Sequence, residues 1–311
     1  MSKQVLVFSE LVRNIPELIT AAKSLSESVS AVVIGSEEDA KLAIACGAQK
    51  AFLVDVVADT PSEAYASTIA AIVRDADASA LLASLTPKGR AVAAFVAQML
   101  NASCGSECKT IQKIDETYSF SRAIYGGKAT SFERASTEVF VATIPLRSFE
   151  AAASDQTNQG EIIRVASQAA TYPVKIVEVV PREGDSVDVT TASVVVCVGR
   201  GVVKEDDLPM VNELAEAIGG VVGCTRPIAM DFKWFPQDRY IGLSGKSIKP
   251  KLFIGVGVSG QIQCLAGAND SKVIVGINKD ENAPIFEYSD YGVVADLYEF
   301  VPALIASIKS L

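Results

Sequence analysis

Residues Arg239 to Asp296 read RYIGLSGKSIKPKLFIGVGVSGQIQCLAGANDSKVIVGINKDENAPIFEYSDYGVVAD. An apolar run, Leu252 to Val258, is followed by Ser259-Gly260 and a segment that can begin a helix. A second apolar run, Val273 to Ile277, ends in Asn278-Lys279-Asp280. A strand that ends in glycines at a helix N-terminus gathers unpaired N–H groups and the positive end of a dipole in one place. The stretch therefore predicts a bound phosphate or diphosphate, and with it a nucleotide.

The same alternation extends outward. Upstream, VVVCVG after Ser193 reads as a strand, Asp206 to Ile218 as a helix and Val221 to Cys224 as a strand. Near the N-terminus, strand-like runs at Val5–Ser9, Ala31–Gly35, Ala51–Val57 and Ala80–Ser84 alternate with helical patterns at Pro16–Ser26, Glu37–Cys46, Pro61–Asp75 and Pro87–Leu100. Apolar strands alternating with helices imply βαβ crossovers and a parallel sheet covered on both faces. Between Lys109 and Phe149 the pattern changes to short runs such as YSFSRAIYG and EVFVATIP, expected as antiparallel strands on the sheet edge. The polar stretches Ala151–Gly160 and Pro181–Asp188 read as loops. The expected class is α/β in two domains, each a mostly parallel sheet with helices on both faces. Residues 1–190 form a nucleotide-domain-like layer with added antiparallel strands, and 191–311 form the ligand-binding domain.

Composition bounds the function. The 311-residue chain is 49% hydrophobic and 21% charged, as in a globular protein. No apolar run reaches the roughly 18 residues that suggest a bilayer span, and Met1-Ser2-Lys3-Gln4 leads straight into strand-like sequence, so a cytoplasmic protein without membrane insertion is expected. With 28 basic against 37 acidic residues and a net charge of −9, no nucleic-acid partner is expected. The six cysteines lack paired metal-ligand spacing, and the Cys104/Cys108 pair cannot close a four-ligand site, so no metal is expected. There is no histidine. That absence removes a Ser-His-Asp triad and a Cys-His pair, so any chemistry falls to a cofactor rather than to catalytic side chains.

Gly255, Gly257 and Gly260 satisfy G-x-G-x-x-G, with Asp280 about 20 residues beyond, as in a dinucleotide fingerprint. Two strands of the domain precede the pattern, whereas the fingerprint normally opens a domain. A different diphosphate ligand or a purely structural turn therefore stays open. Gly199-Arg200-Gly201 follows one strand and Thr225-Arg226-Pro227 the next, which puts two arginines at the carboxyl edge of the sheet. Ser244, in Ile241-Gly-Leu-Ser-Gly245, offers a hydroxyl beside two glycines and equally suits an ordinary turn. Trp234 reads as a packing or subunit-contact residue.

Taken together, GRG, CTRP, RYIGLSGK, KPKLFIGVGVSGQIQ, LAGANDSK, INKDENAPIF and DYGVVADL resemble, in order and spacing, the alpha subunit of an electron transfer flavoprotein. The first half is similar more diffusely, through LTPKGRAVAA and RAIYGGKA. The resemblance implies FAD in the C-terminal domain, facing a separate beta subunit. It places Arg200 by the cofactor, and Thr225 and Arg226 over the flavin, where the guanidinium stabilises reduced, negatively charged forms. It puts Ser244 on flavin N5, in a turn with Ile241, Gly242 and Leu243. The diphosphate falls on Ser259, Gly260, Gln261, Ile262 and Gln263, and the adenosine side on Asn278 and Asp296, with Leu297 a neighbour. Asp280 becomes a loop residue. Two positions depart from the family: Leu243 stands where many members carry Gln, and Cys264 where the family has a histidine that donates toward flavin O2. A thiol is a weaker donor, so Cys264 is expected to stabilise the anionic flavin less.

The implied function is that of an electron carrier rather than an enzyme with its own organic substrate. It accepts electrons from an acyl-CoA dehydrogenase or related flavin dehydrogenase and passes them to a quinone reductase or ferredoxin-linked acceptor, with an FAD domain that swings between partners. One alternative is the electron-bifurcating form, with a second FAD in the beta subunit oxidising NADH. Others are an NAD-dependent enzyme using Gly255 to Gly260 with Asp280, and a nucleotide-binding scaffold without redox work.

Overall fold

The computed structural model describes residues 3–180 and 187–310. The chain divides into two compact units, Met1–Val180 and Pro181–Leu311. The division falls before the expected boundary at 190, because Val189 is fully buried in the core of the second unit. Part of the expected Pro181–Asp188 loop lies outside the described residues.

In the first unit, the strands are Val5–Phe8 (β1), Val29–Ile34 (β2), Lys50–Val54 (β3), Ala80–Ser84 (β4), Ser103–Gly105 (β5), Thr110–Ile114 (β6), Thr117–Ile124 (β7), Ala129–Arg134 (β8), Phe140–Ile144 (β9) and Glu161–Val165 (β10). The helices are Ile15–Lys23 (α1), Glu37–Ala45 (α2), Ala66–Asp75 (α3) and Pro87–Leu100 (α4). Seven strands form one sheet in the order β10-β3-β2-β1-β4-β9-β5, every pairing parallel. Alternate residues of the central strands enter two apolar clusters, one per face: Val5 and Val7 join one, Leu6 and Phe8 the other. Both faces are thereby buried, as the unbroken apolar runs require.

The changed pattern after Lys109 resolves differently from the expectation. Strands β6, β7 and β8 form their own antiparallel sheet and do not extend the parallel one. EVFVATIP supplies β9, which lies inside the parallel sheet between β4 and β5. All five β9 residues are buried, which an edge strand beside solvent does not achieve. β10 was not legible as a strand, because EIIRV is short and only partly buried at the opposite edge.

The chain reverses direction across the sheet between β1 and β4, the switch point where such sheets hold ligands. Here the start of α4 is already occupied by the protein itself. Thr86 caps the helix by accepting from the Gly89 N–H at 2.9 Å, and its hydroxyl donates to the Glu10 carboxylate. This edge carries its own anion, which disfavours a phosphate.

The second unit contains Val194–Val198 (β11), Leu208–Ala217 (α5), Val221–Cys224 (β12), Leu252–Val256 (β13), Ile262–Leu265 (α6), Ile274–Asn278 (β14), Tyr291–Val294 (β15) and Leu297–Lys309 (α7). Its five strands run parallel in the order β12-β11-β13-β14-β15. Helices α5 and α7 bury Val211, Leu214, Val301 and Ile305 against one face. The other face is closed by Phe253, Ile248, Ile285 and the start of α6. The switch point falls between β11 and β13, so the loops after these two strands meet there. Among the described residues, no helix is long and apolar enough to cross a membrane.

Candidate functional site

The helix expected after Ser259-Gly260 is a single turn of four residues, α6. A macrodipole grows from many aligned peptides, so one turn contributes little of the anion attraction anticipated from the sequence. The loop carries it instead. Among the described residues, the backbone N–H groups of Ser259, Gly260 and Gln261 donate to no protein acceptor. Three free donors in succession make a nest suited to phosphate oxygens.

The glycines around this loop do something other than admit a ligand. Gly199 N–H donates to Val256 O and Gly201 N–H to Gly257 O, both at 2.9 Å, which zips the loop after β11 onto the loop after β13. A Cβ on Gly199 would lie 2.3 Å from Gly257 O, and one on Gly257 would lie 2.7 Å from Gly201 Cα at a φ of +62°. Gly260, at φ +79°, is pressed against the backbone of Ile285, where a Cβ would meet nitrogen at 2.2 Å. The G-x-G-x-x-G glycines are thus consumed by protein-to-protein contact. What the loop leaves open is the Ser259–Gln261 backbone at the end of the pattern.

Arg200 and Arg226 follow β11 and β12, adjacent parallel strands in register at Val198 and Cys224, so both rise from the same carboxyl edge. Both are exposed, and among the described residues neither makes an ion pair. Two guanidinium groups without ion-pair partners thus stand at the edge that also carries the free N–H donors. Thr225 immediately precedes Arg226, and its backbone N–H donates to Val198 O at 2.9 Å. Its side chain is buried and its hydroxyl has no partner. A buried orphan hydroxyl at a ligand edge is a place for a ligand hydrogen bond.

The Ile241–Gly245 turn is held over α6. Ile241 N–H donates to Cys224 O at 2.9 Å, and Leu243 N–H to Gln263 O at 2.7 Å. Gly242 lies at φ +154°, and Gln263 O and the Tyr240 ring leave no room there for a side chain. Ser244 is exposed, with its hydroxyl 3.1 Å from the Tyr240 hydroxyl. Ile262 is half-buried, and Leu243 is 64% exposed, so its apolar side chain faces outward at the rim.

Other expected residues lie at the same edge in structural roles. Asn278 donates to Val258 O at 2.8 Å and accepts from Asp280 N–H at 3.0 Å, tying the β13 loop to the end of β14. Asp296 caps α7 by accepting from Tyr298 N–H at 2.8 Å, and Leu297 is buried beneath it. Asp280 accepts from Asn282 N–H within its own loop. Trp234 is half-buried against the core, its ring 4.9 Å from that of Phe232. Cys264 is half-buried against the cluster that contains Cys197, and the neighbouring Cys197 thiol holds its ionisation below the ordinary thiol range. Among the described residues, no group of His, Cys, Asp or Glu could hold a metal ion.

Tyr298 went unrecognised in the sequence. Its hydroxyl accepts from Val203 N–H at 2.9 Å and donates to Asp207 at 2.7 Å, stapling the Arg200 loop to α7. Burial and the Asp207 bond push its ionisation up, so it stays a neutral donor. Only its place two residues after the Asp296 cap could have signalled it. Tyr298→Phe removes both bonds and keeps the ring, a loss of about 1 kcal/mol in loop order. We expect FAD to bind roughly 3- to 10-fold more weakly, measured by flavin fluorescence titration.

Residues 188–269 match the model of the electron transfer flavoprotein FAD-binding domain, and residues 10–170 that of the electron transfer flavoprotein domain. The chain belongs to the electron transfer flavoprotein alpha-subunit family. Similar relatives include Protein FixB of Escherichia coli O157:H7, 37% identical over 307 residues, and Protein FixB of Shigella flexneri, 36% identical over 307. Each comparison covers 98% of both chains. The family's cofactor is FAD, and the donor set fits it: free N–H groups for a diphosphate, two cations, and an orphan hydroxyl. Arg200, Thr225, Arg226, Ile241 to Ser244 and Ser259 to Cys264 lie inside the FAD-domain match, whereas Asn278, Asp296 and Leu297 lie beyond it.

Proposed function

We propose that this FAD-binding subunit carries electrons from an acyl-CoA dehydrogenase or related flavin dehydrogenase to a quinone reductase or ferredoxin-linked acceptor, as a heterodimer with a beta subunit. The observation that carries the reading is the convergence of Arg200, Arg226 and the Ser259–Gln261 donors on one carboxyl edge without an acidic partner. FAD supplies the redox chemistry when bound. The chain's own residues do the rest. Ser259, Gly260, Gln261, Ile262 and Gln263 hold the diphosphate, Arg200 anchors the cofactor, and Arg226 favours its negatively charged forms. Thr225 and Ser244 supply hydroxyl hydrogen bonds, and Asn278, Asp296 and Leu297 bound the adenosine side.

A partner subunit is supported by apolar exposure in the first unit. Tyr125 and Phe132 are 80% and 83% exposed, and Val177, Val179 and Val180 are at least 73% exposed. Large apolar side chains this exposed suit a protein interface.

The test is to purify the chain with its co-purifying partner, count FAD, and add an acyl-CoA dehydrogenase with its substrate. Bleaching of the flavin absorbance with one FAD per heterodimer is the expected result. Two FAD with reduction by NADH would move the assignment to the bifurcating form. No reduction by any flavin dehydrogenase would overturn electron carriage.

The departure at 264 gives a second measurement. Cys264→His restores a donor of the family type, and the first-electron potential is expected to rise by about 30–60 mV, the equivalent of one neutral hydrogen bond. An unchanged potential in a redox titration would show that another donor serves this position.

A further inference from the structure

Residues 173–180 read PVKIVEVV, in which Val174, Ile176, Val177, Val179 and Val180 are apolar and β-branched. Connections between domains are ordinarily rich in Gly, Ser, Pro or charge, whereas this composition suits the pleated, half-buried surface of a sheet. Yet all eight residues are exposed, Val177 by 99% and Val179 by 76%. Given the heterodimer proposed above, on which this rests, we infer that residues 174–180 add as a strand to an open sheet edge of the beta subunit.

The segment is tethered and already straight. Tyr172 packs against the core of the first unit, and Ile176 N–H donates to Asp59 O at 2.8 Å. Residues 174–180 run without a turn or bend. Among the described residues, the N–H groups of Val174, Lys175, Val177, Glu178, Val179 and Val180 donate to no protein acceptor, and no carbonyl from 174 to 180 accepts a backbone N–H. In an extended chain the N–H and C=O of one residue point to the same side, and successive residues point to opposite sides. With Ile176 turned toward Asp59, the main-chain groups of Lys175, Val177 and Val179 turn away from the chain's own body. They form a ladder edge with nothing on it.

A β-branched run of low charge with an open backbone pairs with whatever edge it meets unless it is covered. Only Lys175 and Glu178 interrupt the run, and strand parity puts them on opposite faces, so each face stays mainly apolar. A sheet edge answers both needs at once, main-chain partners for the ladder and apolar neighbours for the valines. The chain's own seven-stranded sheet does not supply it, since its edges are β10 and β5 and neither pairs with residues 174–180. A second copy of the chain would bring a further net charge of −9 against the first. The occupant is therefore a different chain, the beta subunit.

The experiment co-expresses the full-length chain with a tagged electron transfer flavoprotein beta subunit, measures how much chain is retained, and follows amide hydrogen exchange in the purified heterodimer. Val177→Pro and Val179→Pro each delete an outward N–H and leave a partner carbonyl unpaired, so retention is expected to fall roughly 10-fold. Glu178→Pro places the same ring where the N–H faces inward, and retention should stay within about 2-fold of the parent. Val177→Thr keeps both the N–H and the branched side chain and should bind as the parent does. In the parent heterodimer the amides of Lys175, Val177 and Val179 should exchange more slowly than those of Val174 and Glu178. Equal retention of the Val177→Pro, Val179→Pro and parent chains overturns the strand alone, as does an equal loss in Glu178→Pro. A beta-free dimer of the chain that Val177→Pro dissolves also overturns it, by making a second copy the occupant. A parent chain that binds no beta subunit overturns the heterodimer reading and the strand with it. If a proline variant does not fold, the exchange pattern of the parent and the binding of Val177→Thr decide the question.

Discussion

Arg226→Met is expected to lower the one-electron reduction potential of the bound FAD by about 50–100 mV, since an unpaired surface cation is worth roughly 1–2 kcal/mol to a nearby negative charge. The effect is large because nothing on the protein competes for this guanidinium: Arg226 is exposed and makes no ion pair among the described residues. A paired arginine would have had part of its field cancelled already. Methionine keeps the length and apolar stem and removes only the charge. Arg226→Lys should recover most of the potential, because the Coulomb contribution needs a cation and not a planar fork. The potential of the variant should also depend less on ionic strength than that of the parent. Spectroelectrochemical titration at two salt concentrations reads both outcomes. Equal potentials in the parent and Arg226→Met would remove Arg226 from the cofactor's surroundings.

Gly257→Ala should be strongly damaging to the C-terminal unit. The new Cβ would stand 2.7 Å from Gly201 Cα and 3.0 Å from Gly201 N, backbone atoms that cannot swing aside. Alanine at φ +62° adds strain of its own. Together these cost about 2–4 kcal/mol, a fall in thermal midpoint of roughly 8–15 °C for a unit of this size. Separating the two loops also breaks the Gly201-to-Gly257 hydrogen bond that sets the Arg200 loop. FAD content after purification should therefore drop several-fold as well. Gly219→Ala is the control. Gly219 has φ +63° but nothing within 4 Å of its would-be Cβ, so it carries the strain without the collision. That variant should lose about 1 kcal/mol and keep its FAD. Equal behaviour of the two variants would show that crowding between the loops does not matter.

The contrast between these glycines shows what is legible in a sequence. The strand-helix alternation, the parallel sheets and the carboxyl-edge placement of Arg200 and Arg226 follow from runs of neighbours: both-face burial leaves unbroken apolar stretches, and helices leave a 3.6-residue period. The role of Gly199, Gly201 and Gly257 does not follow, because each is crowded by residues more than fifty positions away. The same holds for EVFVATIP. Its composition suits an edge strand or an interior one, and its insertion between β4 and β5 is a choice of partners that no local pattern records. Tyr298 looked like an ordinary first-turn residue of α7, since its partners Val203 and Asp207 lie in another loop.

By itself, then, the sequence determined the α/β class, the nucleotide-type edge of the second unit, and, through its chain of motifs, the family and its FAD. Those depend on local periodicity and on residue order, both of which a linear chain carries. Tertiary structure decided that the glycine pattern serves loop-to-loop contact and that the helix behind it is one turn long. It decided that the Ser259–Gln261 backbone N–H groups are left without a protein acceptor, and that Cys264 packs against the cluster of Cys197. The physical reason is the same in each case. Hydrogen bonds and steric exclusion act over about 3 Å, and which groups come within that range is set by how strands order themselves in the sheet.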